Sequence, residues 1–574
     1  MILTRPARMA SALALIFALL PGLSPALALG GAGPYLAGRQ AMADSDYKAA
    51  ASYYTMALAH DPGNTRLMEA TVLADVALGD VAAALPVAKA LAASDTRSQI
   101  ASLVVLADEL KRRDYAKAIP AVAGDGGAGP LVNGLVRAWA EVGAGKMTDA
   151  LADFDKLAQT PGLKAFALYH KALAMASVGD FEGAEKIFSG AAGVNLGLTR
   201  RGVVAEAEVL SQLDRDKEAL KLLDDRFGTT ATPGVDPLRQ QLASGMTVPF
   251  SLVKDATDGL SEVFLSVADA LKGEAADSFT LVYSRLAEYL RPSNAEAILL
   301  SASLLQSQRQ YGLAVAAYDQ VTRDNPSYFA AQLGKAQVLY ASGQVDAGIG
   351  AMQQLAQAHP DVIEVQLALG DLLRRQERYS EALPAYDAAV ALIKTPQPAD
   401  WAVYYMRGIC HERLQQWPAA EADLRQALAL QPDQPEVLNY LGYGMIERGE
   451  KLDEALGMIK RAVAARPDDG YIVDSLSWAY YRLGEYRKAL PIAERASQLM
   501  PLDPVVTDHL GDVYWAVGRR LEARFQWHRA LSFKPDPKDA ARIQRKLAVG
   551  LDDVLKEEGA PPLKTVQNGL ASGG

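Results

Sequence analysis

The segment Gly470 to Met500, GYIVDSLSWAYYRLGEYRKALPIAERASQLM, returns in altered form 34 residues later as Pro504 to Phe533, PVVTDHLGDVYWAVGRRLEARFQWHRALSF. Tyr480 matches Tyr514, Gly484 matches Gly518, Ala489 matches Ala523, Ala496 matches Ala530 and Pro501 matches Pro535. An internal period of this length constrains the fold more than any other feature. One unit is too small to bury its own apolar face, so neighbouring units must stack and share a continuous core. Each recurring residue has a mechanical reason. The glycine sits where one helix turns sharply into the next. The two alanines let antiparallel helices approach, the aromatic fills the space between them, and the proline stops the second helix.

The same register runs back through the chain. Gly408, Trp417, Ala420 and Pro432 mark one unit, and Gly370, Tyr379, Ala382 and Tyr386 mark another. Ala336, Gly343 and Pro360 mark a third, and Tyr311, Ala314, Tyr318 and Pro326 a fourth. Glu436 to Pro467 is a further unit with one extra residue in its turn. Near the start, Gly38, Tyr47, Ala50, Tyr54, Ala57 and Pro62 form a well-kept unit, and residues 65–230 hold about five weaker ones. These marks resemble the tetratricopeptide repeat. The resemblance implies an all-α, right-handed superhelical solenoid of about fourteen helix-turn-helix repeats. The pattern lapses around TTATPGVDPL, Ser244-Gly245 and Pro249. Turn chemistry of that kind predicts an N-terminal array over 29–229, an irregular joint over 230–260 and a C-terminal array over 261–537. A capping helix over 538–557 should cover the apolar face that the last repeat exposes, followed by a disordered tail over 558–574.

Residues 1–28 stand apart from the repeats. Arg5 and Arg8 precede an apolar run from Met9 to Leu20, which Pro21-Gly22 breaks before Ala26-Leu27-Ala28. This is the layout of a signal peptide cleaved near Ala28, with no lipid-anchor cysteine beside the cut. Export without a disulfide partner for the single cysteine, Cys410, points to a bacterial periplasm. Cys410 itself reads as a small buried residue. Net charge is −10, and losing Arg5 and Arg8 with the signal makes it −12. A nucleic-acid binder needs a basic face to displace phosphate counterions, and none is present, so nucleic acid is not an expected partner. No later segment is apolar enough to form a transmembrane span.

The six histidines form no HExxH motif, and G-x-S-x-G and G-x-x-x-x-G-K are absent. No enzyme, metal or cofactor is expected. His509, with Asp508, Asp512 and His528 near it, reads as solvated or capping residues rather than a site. The groove is the better functional candidate. In the repeat that the sequence resembles, the first helix of each unit lines the concave surface through its second, fifth, ninth, twelfth and thirteenth positions. That register selects Tyr405 and Arg413, then Asn439 and Tyr443, then Tyr471, Asp474, Trp478, Tyr481 and Arg482, and finally Asp508, Asp512 and Trp515. Rigid aromatics interleaved with polar groups suit capture of an extended peptide. The alternative is that Trp478 and Trp515 pack between repeats. On the groove reading, Trp478→Ala with Trp515→Ala weakens capture while the fold survives. Equivalent N-terminal positions are small, as at Ala43 and Ala70, which suits broad helix packing or self-association into a homo-oligomer.

The last hundred residues carry a narrower resemblance. LNYLGY (438–443), DGYIVDSLSW (469–478), AYYRLG (479–484), DPVVTDHLGDVYWAVGR (503–519) and EARFQW (522–527) are similar to bacterial envelope repeat proteins. The best understood of these are lipoprotein adaptors of periplasmic C-terminal processing proteases. The resemblance covers under a fifth of the chain. It implies a scaffold that holds such a protease, or a peptidoglycan hydrolase, together with its substrate. Two departures stand out: Ser477 occupies a position where the repeat usually has glycine, and no lipid-anchor cysteine is present. A structural or assembly component of an outer-membrane or polysaccharide-export complex is the alternative function.

Overall fold

The computed structural model describes residues 32–122, 128–190 and 196–564. The expected signal peptide lies outside them, as does the tail beyond Lys564. Among the described residues the chain is helical without a strand. Helices pair into hairpins, six from Ala32 to Phe227 and eight from Ala256 to Ser532, which gives the tetratricopeptide-type solenoid. Polar residues start many of the helices. Asn64, Asp80, Asp469 and Asp503 each accept a hydrogen bond from a backbone N–H of the first turn. Gly484 and Gly518, with φ of 78° and 90°, make the turn between the two helices of a hairpin, a backbone angle that side chains disfavour.

Where the first helix of a unit carries the repeat glycine within it, that glycine answers to the residue opposite it in the second helix. A methyl group on Gly38 would overlap the ring of Tyr54, one on Gly370 that of Tyr386, and one on Gly511 that of Trp527. Ser477 departs from the pattern without strain because Ala493 stands at the opposing position. It is fully buried, and its hydroxyl points at the carbonyl of Ala489, 3.4 Å away.

The chain divides into two compact units at Ala358/His359. The first contains nine hairpins and one extra helix, Asp236–Ala243. Its hairpin Ala256–Leu271 and Asp277–Leu290 is not another stacked unit at the end of the array. The first of these helices packs on Pro130–Gly143 and Lys164–Ser177, and the second on Thr65–Leu78 and Gln99–Lys111. Those four are the inner helices of their hairpins, so the chain fills this concave face itself. Every residue from Gly259 to Leu265 and from Thr280 to Ala287 is buried, as befits helices surrounded on all sides. A side chain on Gly259 would overlap the indole of Trp139. Arg201 pairs with Glu262, which also accepts from the Tyr169 hydroxyl at 2.9 Å.

The segment 230–260, expected as an irregular joint, carries the helix Asp236–Ala243 and is packed, because Val235, Leu242 and Val248 share a core with Val203, Ala207 and Leu210. The Gln212 amide donates to the Val248 carbonyl at 2.6 Å, and Ser251 donates to Glu208. Local turn chemistry marks a change of direction there, while the buried hairpin ties both sides into one body. The broad helix packing expected of the N-terminal surface comes from within the chain.

The second unit contains five hairpins followed by the cap. The cap is two helices, Pro537–Val549 and Leu551–Glu557, rather than one, with the break at Gly550, whose φ is 92°. Lys546 inserts from the cap into the last repeat and is fully buried. Its ammonium lies 2.5 Å from Asp508 and 2.6 Å from Asp512. The segment expected to be free from residue 558 is seated on the unit as far as Lys564. Arg542 pairs with Glu558 at 2.8 Å, and Ala560 and Leu563 pack on the core. Cys410 is fully buried, and burial raises its thiol to about 11.

Candidate functional site

The inner helices Trp401–Arg413, Pro435–Arg448, Gly470–Leu483 and Pro504–Ala516 present the concave face of the second unit. Two hollows open on it. One, of about 300 Å³, is lined by Arg413, Asn439, Tyr443, Tyr471 and Asp474. The other, of about 670 Å³, is lined by Tyr443, Trp478, Tyr481, Arg482 and Asp508, and the cap and tail bound its far side. Tyr443 belongs to both. Of the twelve residues selected by register, Tyr405, Asp512 and Trp515 line neither hollow.

The smaller hollow keeps an open surface. The ring of Tyr471 is 56% exposed and its hydroxyl donates to Asp503 at 2.9 Å. The side chain of Arg413 is 58% exposed. The Oδ1 atoms of Asn439 and Asp474 are buried and accept no hydrogen bond within the chain. Burial, together with the carboxylates of Glu447 and Asp474, raises the Tyr443 phenol strongly, so it stays a hydroxyl donor at any physiological pH. Exposed rings beside buried acceptors form a surface that can take both apolar side chains and donors from a peptide.

Elsewhere the structure corrects the sequence-derived stripe. Trp478 is 8% exposed and sandwiched between Tyr481, at 4.7 Å, and His509, at 3.9 Å, with the three rings nearly parallel. Its indole N–H donates to Glu447, which also meets Arg482 at 3.2 Å. Tyr481 is 7% exposed and Asp512 is fully buried, accepting from Trp527 and Lys546. Trp515 packs toward the cap. Its N–H donates to Asp552 at 3.0 Å and Arg520 lies over its ring at 3.8 Å. Tyr405 packs against Trp401 and Tyr440. Packing between elements, the alternative for the two tryptophans, is what the structure has.

His509 does what the sequence did not indicate. Its Nδ1 lies 2.7 Å from the Asp474 carboxylate, one repeat earlier, rather than facing Asp508 or His528. Burial is the largest single effect and opposes charge on the imidazole, but Asp474, Asp508 and Asp512 together outweigh it, and its pKa is raised. Asp508 is raised to about 6 by burial and by Asp512, against the pull of Lys546. These charges are paired internally and brace the face. Among the described residues no group of three or more His, Cys, Asp or Glu side chains could hold a metal ion. Glu447, His509 and Arg542 also line the larger hollow, and none is among the residues selected from the sequence.

A family model of the tetratricopeptide repeat matches residues 299–363 and 367–443. Those two segments carry tetratricopeptide repeats. It is 30% identical over 210 residues to the TPR repeat-containing protein PA4667 of Pseudomonas aeruginosa, covering 36% of this chain and 35% of that protein. It is 29% identical over 129 residues to BBSome complex member BBS4 of Bos taurus, covering 22% of this chain and 23% of that protein. The chain thus spans about a third or less of the length of these relatives. Among solved structures, a tetratricopeptide repeat protein from Parabacteroides merdae aligns over 45% of this chain and 98% of its own, at 16% identity and a TM-score of 0.37. The APC/C Cut9-Hcn1 hetero-tetramer aligns over 90% of this chain and 96% of its own, at 14% identity and a TM-score of 0.36. Among the described residues no helix is long and apolar enough to cross a membrane.

Proposed function

We infer that this TPR chain is a non-catalytic scaffold of the bacterial periplasm. On this reading the concave face of residues 401–516 grips an extended segment of a processing protease or cell-wall hydrolase and holds it near a substrate. Repeats of this type supply the protein-binding scaffold. The observation that carries the reading is the smaller hollow, where the half-exposed Tyr471 and the exposed Arg413 flank the unpartnered Oδ1 atoms of Asn439 and Asp474. An extended backbone offers N–H donors to such acceptors. Export rests on the N-terminal sequence, and the partner class rests on the resemblance of residues 438–531.

The test is affinity capture from a bacterial envelope extract with the mature chain and an Asn439→Ala/Tyr471→Ala variant side by side. The reading expects a soluble protease or peptidoglycan hydrolase on the parent chain and its loss on the variant, with unchanged circular dichroism. Equal capture by both baits, or capture of outer-membrane assembly proteins alone, overturns it.

A further inference from the structure

The larger hollow has an occupant at its rim. After the helix Leu551–Glu557 the chain turns back, with the Ala560 N–H donating to the Leu555 carbonyl, and Pro561-Pro562-Leu563-Lys564 runs without regular structure along the hollow. The Lys564 N–H donates to the Tyr486 hydroxyl at 3.1 Å. Its ammonium reaches the Leu483 carbonyl at 2.6 Å, at the C-terminal end of the helix Gly470–Leu483, where backbone carbonyls lack partners and a cation is favoured. Gly484 leaves room for it, since a side chain there would collide with the aliphatic part of Lys564. Leu563 and Ala560 are partly buried against the core of the unit. The seat therefore reads two features of a segment: an aliphatic residue and a lysine directly after it. Paired prolines hold the backbone in the extended form at small entropic cost.

We propose that this seat, bounded by Leu483, Gly484 and Tyr486, is a recognition subsite of the groove. Its ligand is an extended, proline-containing segment of a partner protein that ends in an aliphatic residue followed by lysine. The chain's own Ala560–Lys564 is its resident occupant, so a partner must displace that segment. The proposal deepens the groove reading and rests on it for the direction in which a bound peptide continues, toward Trp478 and Tyr443. Contacts of the tail are few, and its lysine and prolines are exposed. Exchange therefore leaves the repeats intact.

The probe is a fluorescently labelled peptide of residues 559–566, GAPPLKTV, titrated by anisotropy against the full mature chain and its Leu563→Asp/Lys564→Ala variant. Tethering gives the resident segment an effective concentration far above that of free peptide. Binding to the variant should therefore be at least tenfold tighter than to the parent chain. A peptide carrying the Leu-to-Asp change should not bind, and Tyr486→Phe added to the variant should weaken binding several-fold. Unchanged circular dichroism and melting temperature certify each fold, and Lys564→Ala alone serves if the double variant fails that check. No saturable binding to the released chain, or equal binding to parent and variant, overturns the proposal. Neither outcome touches the Asn439/Tyr471 capture experiment, so the two readings fail separately.

Discussion

Acidification should loosen the first unit through one residue, His170. The imidazole is fully buried, and its Nδ1 accepts the indole N–H of Trp139 at 3.1 Å, which leaves the ring proton on Nε2. Nε2 finds no partner, and Arg201 adds to the cost of charge. Burial first and Arg201 second lower the group from 6.5 to about 3. In the unfolded chain the same ring takes a proton near pH 6.5. Between these values the unfolded state holds a proton that the folded state does not. Stability is therefore complete above pH 6.5 and falls by about 1.4 kcal/mol per pH unit below it. At pH 5 the loss is about 2 kcal/mol, set almost wholly by the unfolded value because the folded one lies so far below. His170→Gln retains an acceptor for Trp139 and cannot titrate. Hydrogen exchange of peptides from Pro130–Gly143 and Lys164–Ser177, corrected for intrinsic rates, reports the local opening free energy. Between pH 8 and pH 5 the parent should lose about 2 kcal/mol more than the variant. Parallel pH profiles, or a His170 ring resonance that titrates above pH 6, would refute the reasoning.

The second unit should respond in the opposite sense. His509 is raised by Asp474, so its contribution is present below pH 6.5 and fades as pH rises through the folded value. Peptides from Pro504–Ala516 should exchange more slowly at pH 6 than at pH 8, and His509→Gln should abolish the part of that difference that belongs to the Asp474 pair. Trp478→Ala empties the space between Tyr481 and His509 and should cost about 3–5 kcal/mol in urea unfolding, whereas Tyr471→Ala, on a half-exposed ring, should stay within about 0.5 kcal/mol. Gly511→Ser should cost about 1–3 kcal/mol by crowding Trp527, while Ser477→Gly, opposite Ala493, should cost no more than about 1 kcal/mol in the same assay.

What was legible in the sequence follows from the range of the interactions involved. Repeat marks such as Gly370 and Tyr386 lie 16 residues apart in one hairpin, so local spacing reports the contact directly, and the hairpins stand where the marks put them. The concave stripe was legible only where nothing further covers it. Register says which side of a helix a residue faces; it does not say what lies opposite. Asn439, Tyr471 and Arg413 face a hollow as the register expects. Trp478, Tyr481 and Asp512 obey the same register but meet His509, the cap and Lys546. The hairpin 256–290 left a signal that period-counting passes over. SEVFLSV and TLVYSRLA lack a polar face, which a helix on the outside of a stack would need. Its seat against Trp139 and Ala77 depends on contacts more than a hundred residues away in sequence.

The two concave faces are both met by the chain's own residues, but on different terms. In the first, Arg201 and Glu262 are buried against each other, and Glu262 also holds Tyr169. Withdrawing the hairpin would break that pair and leave Arg201 only Asn294, at 3.0 Å, and the longer contact to Glu296, at 3.7 Å. Breaking a buried pair costs about 3–5 kcal/mol before any apolar surface is counted. A visiting helix would have to reproduce that pairing, so the face functions as interior. In the second, the tail contributes two hydrogen bonds worth about 1 kcal/mol each and a partly buried leucine. Ordering each residue of the segment costs about 1–2 kcal/mol, less at the prolines. Such contacts give only a weak net hold, which is the condition for exchange with a competing segment. On the proposed reading, exchange of partners belongs to the C-terminal unit, and the N-terminal unit uses its groove to hold itself together.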